Sequence, residues 1–96
     1  MSGRTLEDVS LLEALRADKG LTVMGAAAEI GMSHKTLMKY ERDGLSRPRF
    51  EVLDKLGRFY NVRTSLLLED VRKTYRRRVA QITEDMERAA GLRDAA

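Results

Sequence analysis

The sequence predicts an all-α fold of five helices, the last of them extended. Three observations carry this expectation. Apolar residues recur at helical spacing, most plainly Phe50, Leu53, Leu56, Phe59 and Tyr60. Cap and stop residues divide the chain into five such segments. No run of alternating β-branched residues, and no hairpin dipeptide between apolar runs, indicates a strand.

The first helix carries Leu12 and Leu15 as an i, i+3 pair, with Leu11 alongside. Both Thr5-x-x-Asp8 and Ser10-x-x-Glu13 have the form of a capping box, which leaves its start open by about a turn. It stops near Gly20, with Lys19 in its last turn, where a cation suits the helix dipole. Thr22 is placed to cap the second helix, through Ala26, Ala27 and Ile30 to a stop at Gly31. Ser33 caps a third, which carries Leu37, Tyr40 and Glu41 and runs to Arg42 before Asp43-Gly44. Pro48 opens the fourth as a first-turn residue, and Asn61 fits the left-handed position after Tyr60. Thr64 or Ser65 starts the fifth, and no stop signal follows until Gly91.

The 96 residues allow one small domain. Cysteine is absent, which removes disulfides, thiolate zinc sites and cysteine nucleophiles. The single histidine, His34, excludes a His-rich metal site. No Gly-rich phosphate loop or nucleophile–base pair is visible, so neither an enzyme nor a cofactor is expected. The apolar runs are too short to span a membrane. No charged-then-apolar leader opens the chain, which points to the cytoplasm.

The net charge of +3 is mild, but it is unevenly spread. Residues 1–33 sum to −2, residues 34–49 to +3, and residues 72–78 to +5 with no acid among them. A basic block alone fits a solvated helix face as well as it fits a polyanion.

A short helix, a glycine, one residue, a serine and a second short helix make the sequence form of a helix-turn-helix. Here the turn is Gly31-Met32-Ser33, with the small Ala27 where the two helices would cross. The surrounding residues strengthen it. Leu12-x-x-Leu15-Arg16-x-x-Lys19-Gly20-Leu21-Thr22, then Ala27-x-x-Ile30-Gly31-Met32-Ser33-x-x-Thr36-Leu37-x-x-Tyr40-Glu41, resembles the Cro/C1-type helix-turn-helix family of phage repressors. The run 48–68 fits too, and Arg47-Pro48-Arg49-Phe50 resembles the lambdoid repressor and Cro form of that loop. The resemblance covers about residues 12–68 and implies a five-helix, lambda-repressor-like domain that binds double-stranded DNA.

What it implies for individual residues follows. Arg16 and Glu41 match a structural ion pair between the first and third helices. His34, Lys35, Met38 and Lys39 match the base-contacting face of the recognition helix, opposite Leu37 and Tyr40. Lysine can donate to guanine O6 and N7, and Met38 can pack on a thymine methyl. Arg49 matches an arginine that approaches the minor groove, favoured where A·T pairs narrow it. Thr22, Ser33, Thr36, Arg42 and Arg47 are assigned to phosphates, which position rather than specify. Three positions depart from the family. Val23 stands where a phosphate-holding glutamine is common, Gly25 interrupts the second helix, and Arg63 replaces a capping hydroxyl before the fifth. Met24 and Met32 read as packing residues or surface apolars.

Residues 1–68 are thus expected to form the DNA-binding domain and residues 69–96 a C-terminal helix for dimerisation or partner binding. Leu68, Tyr75, Val79, Ile82, Met86 and Ala89 form a heptad seam, with Arg72 its polar interruption. A homodimer through Tyr75, Val79, Ile82 and Met86 would set two recognition helices on two half-sites; packing back on the domain is the alternative. The expected function is a sequence-specific transcriptional regulator of phage or mobile-element type, repressing by operator occlusion. Two other readings stand beside it: the antitoxin of a two-gene module, with a protein partner on the C-terminal helix, and an interaction adaptor that binds no DNA.

Overall fold

A computed structural model describes residues 9–95, whose helices are joined by short turns and loops, with no strand among them. The helices are α1 (Leu11–Asp18), α2 (Val23–Ile30), α3 (His34–Met38, continued as a π-helical turn over Lys39–Asp43), α4 (Phe50–Tyr60) and α5 (Thr64–Ala95). The five expected helices are all present. Thr5 and Asp8 lie outside the described residues, and it is Ser10 that caps α1, its Oγ accepting from the Glu13 amide at 3.2 Å.

Local chemistry sets most of the boundaries. Thr22 Oγ1 accepts the Gly25 amide at 3.0 Å, and Ser33 Oγ accepts the Lys35 amide at 3.1 Å. Each satisfies an amide that a helix start leaves without a partner. Gly25 has a local reason: a Cβ there would sit 3.1 Å from the capping Thr22 hydroxyl. Gly31 (φ 88°) and Asn61 (φ 56°) end α2 and α4 in the left-handed conformation.

The structure corrects the sequence expectation at four places. Helix α3 does not run as a regular α-helix to Arg42; it widens to a π turn, and the Gly44 amide donates to the Lys39 carbonyl. Helix α4 begins at Phe50 rather than in a turn opened by Pro48. The buried Tyr40 hydroxyl accepts the Arg49 amide at 2.9 Å, which holds Arg49 extended as the N-cap residue. Phe50, read as part of the apolar face of α4, is 70% exposed, because the face that packs begins one turn later at Leu53. Gly91 does not stop α5, which starts at Thr64 as expected, with the Arg63 carbonyl accepting from Leu66 and Leu67.

The core joins all five helices through Leu12, Ala26, Ala27, Leu37, Tyr40, Leu53, Leu56, Tyr60, Leu67 and Val71. The packing of α5 against the body extends to Thr74. Asp70 on α5 accepts the Leu11 amide at 3.0 Å and so caps α1 from 59 residues away. Arg72 donates to the Ser46 carbonyl at 3.1 Å and ties α5 to the loop before α4. At Gly44 (φ 68°) the chain passes so close to α5 that a Cβ would overlap the Val71 carbonyl oxygen and the Tyr75 amide nitrogen. Beyond Thr74 the helix leaves the body, and Tyr75, Val79, Ile82 and Met86 are exposed.

Candidate nucleic-acid interface

The turn between α2 and α3 is built from backbone requirements. Gly31 takes the left-handed conformation, its amide and that of Met32 both donate to the Ala27 carbonyl, and Ser33 restarts the helix. Ala27 is buried, and its lack of bulk lets α2 and α3 approach closely. Leu37 and Tyr40 anchor α3 in the core. The opposite face therefore points to solvent: His34, Lys35 and Lys39 are exposed, and Met38 and Thr36 are half-buried beside them.

Around that face lie the remaining residues singled out by sequence. Thr22, Ser33, Arg42, Arg47 and Arg49 are all exposed. The Thr22 and Ser33 hydroxyls accept backbone amides as caps, which leaves each hydroxyl proton free to donate to an anionic oxygen. Arg49 is set by the Tyr40 hydroxyl through its own amide, and the loop carrying Arg47 is set by Arg72 through Ser46. Lys55 on α4 donates to the Gly31 carbonyl at 3.3 Å and braces the turn from outside. Sequence reasoning missed all three braces, because each joins residues distant in the chain.

Arg16 and Glu41 meet as the motif implied. Arg16 Nε donates to Glu41 Oε2 at 2.9 Å, Nη2 to Oε1 at 3.0 Å, and Nη1 to the Leu21 carbonyl at 2.9 Å. The Glu41 side chain is fully buried and that of Arg16 is 17% exposed. The hydrogen bonds to Glu41 hold the guanidinium above its ordinary pKa, against the opposing effect of burial. Close by, burial pushes the Tyr60 hydroxyl up, with the Glu41 charge adding to the shift and Arg16 opposing it. The pair fixes α3 to α1, so its role is positional.

The structure also makes a place that the sequence did not indicate. Lys35, Met38, Lys39 and Arg42 form one wall of an open groove of about 1170 Å³. The far wall is the free part of α5, with Arg77, Arg78, Gln81 and Glu84. Arg76 is exposed but does not line the groove, so the three consecutive arginines divide between sides of the helix.

Among the described residues, no group of three His, Asp or Glu side chains could hold a metal ion. No helix there is long and apolar enough to cross a membrane. A family model described as a helix-turn-helix domain matches residues 9–69, from just before α1 into the second turn of α5. Comparisons with curated proteins and with solved structures give no significant match. The family match takes in both helices of the turn, the ion pair that seats the second of them, and more than half of the chain: this protein belongs to the helix-turn-helix domain family of DNA-binding modules.

Proposed function

We propose that this chain is a sequence-specific regulator of transcription of the Cro/C1 type, a phage or mobile-element repressor that acts as a dimer by occluding its operator. One observation carries the reading. The capped Gly31-Met32-Ser33 turn presents His34, Lys35 and Lys39 to solvent on the face opposite the buried Leu37 and Tyr40. That is the arrangement in which a second helix enters the major groove and reads base edges. His34, Lys35, Met38 and Lys39 are assigned to bases and Arg49 to the minor groove. Thr22, Ser33, Thr36, Arg42 and Arg47 are assigned to phosphates. Residues 69–96 serve dimerisation, with Tyr75, Val79, Ile82 and Met86 as the contact seam.

The test begins with selection of bound fragments from random duplexes, which supplies the operator. Lys35→Ala and Lys39→Ala should each lose about 1–3 kcal/mol of discrimination between that operator and random DNA. Arg47→Ala should weaken both equally and flatten the salt dependence by about one unit. Affinity that does not change with salt would count against any role on DNA.

A further inference from the structure

The groove between α3 and α5 has a charge pattern that suits one kind of occupant. Five cations line it, Lys35, Lys39, Arg42, Arg77 and Arg78, against two carboxylates, Asp43 and Glu84. Both carboxylates are already engaged. Arg88 Nη2 lies 3.3 Å from Glu84, and Arg78 Nε lies 3.6 Å from Asp43. Among the described residues Lys35, Lys39, Arg42 and Arg77 have no ion-pair partner. The Arg78–Asp43 pair is more than half exposed on both sides, so solvent screens it and Arg78 gives up little by leaving it.

We propose that the groove seats the sugar-phosphate backbone flanking the major groove entered by α3, with Arg77 and Arg78 of α5 holding its phosphates. This rests on the DNA-binding reading above and adds a second element to it. A major groove is about 12 Å wide and bounded by a phosphate backbone on each side, so a helix lying in it has a backbone alongside. Arginine suits phosphate because its planar fork can make two parallel charge-assisted hydrogen bonds. The placement also leaves the exposed seam available. At about 100° per residue, Arg77, Gln81 and Glu84 centre well over 90° around the helix from Tyr75, Val79, Ile82 and Met86, while Arg78 falls between the two sets, about 70° from the centre of the seam. One side of α5 can hold DNA while the other holds a second copy.

The test uses the full chain, the selected operator and a random duplex of equal length, with affinity measured across a salt series. The double variant Arg77→Gln, Arg78→Gln should bind both duplexes about tenfold more weakly near physiological salt, with the operator preference unchanged. Its salt slope should fall by about two units. Arg76→Gln, which removes one charge outside the groove where the double variant removes two, should cost much less than half of what the double variant loses in log affinity and in slope. Wild-type affinity and slope in the double variant, while Lys35→Ala still loses discrimination, would remove α5 from the interface and leave the DNA reading standing. A loss in Arg76→Gln of half the double variant's or more, in log affinity and in slope, would reduce the effect to bulk charge and overturn the proposal. A wild-type chain that binds neither duplex at low salt would overturn both readings.

Discussion

The buried carboxylate of Glu41 depends on one side chain. Arg16 supplies it with paired hydrogen bonds and directs Nη1 to the Leu21 carbonyl. Removing that partner leaves a charge in a site closed to water, which is far costlier than the intact pair is stabilising. Arg16→Met should lower stability by about 3–5 kcal/mol in chemical denaturation. Adding Glu41→Leu should restore most of it, since two apolar groups need no partner. A loss below about 1 kcal/mol in the single variant would show that the carboxylate finds other solvation. This pair was legible in the sequence because it belongs to a motif. The Asp70 cap on α1 and the Tyr40 hydroxyl under Arg49 were not, because their roles exist only once distant helices are packed.

Among the elements, the boundaries set by neighbouring residues were the readable ones. Ser10, Thr22 and Ser33 cap, and Gly31 and Asn61 stop, through contacts within five residues. The start of α4, set by the Tyr40 hydroxyl, was misread. Gly44 was read correctly as a stop, but its contact with a distant helix was not legible. At φ 68° and ψ −179° it occupies backbone space that residues with a Cβ avoid, and it lies against the backbone of α5. Gly44→Ala must both strain this residue and push α5 away, since backbone cannot yield as a flexible side chain does. The expected loss is about 2 kcal/mol or more. Amide exchange should show it as lost protection in α5 around Val71–Tyr75; unchanged protection there would mean that the close approach does not hold the helix.

For the whole molecule, the body and the free helix have different needs. The body buries its apolar set, while the seam along α5 stays in water, with Met86 67% exposed. Heptad spacing was visible in the sequence; whether the stripe folds back was not, and past Thr74 it does not. A second copy on this seam should give a particle of about twice 10.9 kDa in sedimentation. Val79→Asp with Ile82→Asp should reduce it to the monomer mass and weaken operator binding. A wild-type chain that sediments as a monomer at micromolar concentration would remove the dimer, and with it the paired half-site mechanism.

The unbroken course of α5 gives it the character of a measuring rod. It is one helix from Thr64 to Ala95, with its seat against the body ending at Thr74 and its seam centred near Ile82. A helix advances about 1.5 Å per residue and returns to within about 20° of its starting direction every seven. Seven residues added between seat and seam would therefore carry a dimer contact about 10 Å outward with little rotation. An insertion of five would turn the contact well away from its original side. Operator spacing would then be written into the count of residues along a single helix, and could change only by insertions that bring the helix back near its starting direction, such as about seven or eleven residues.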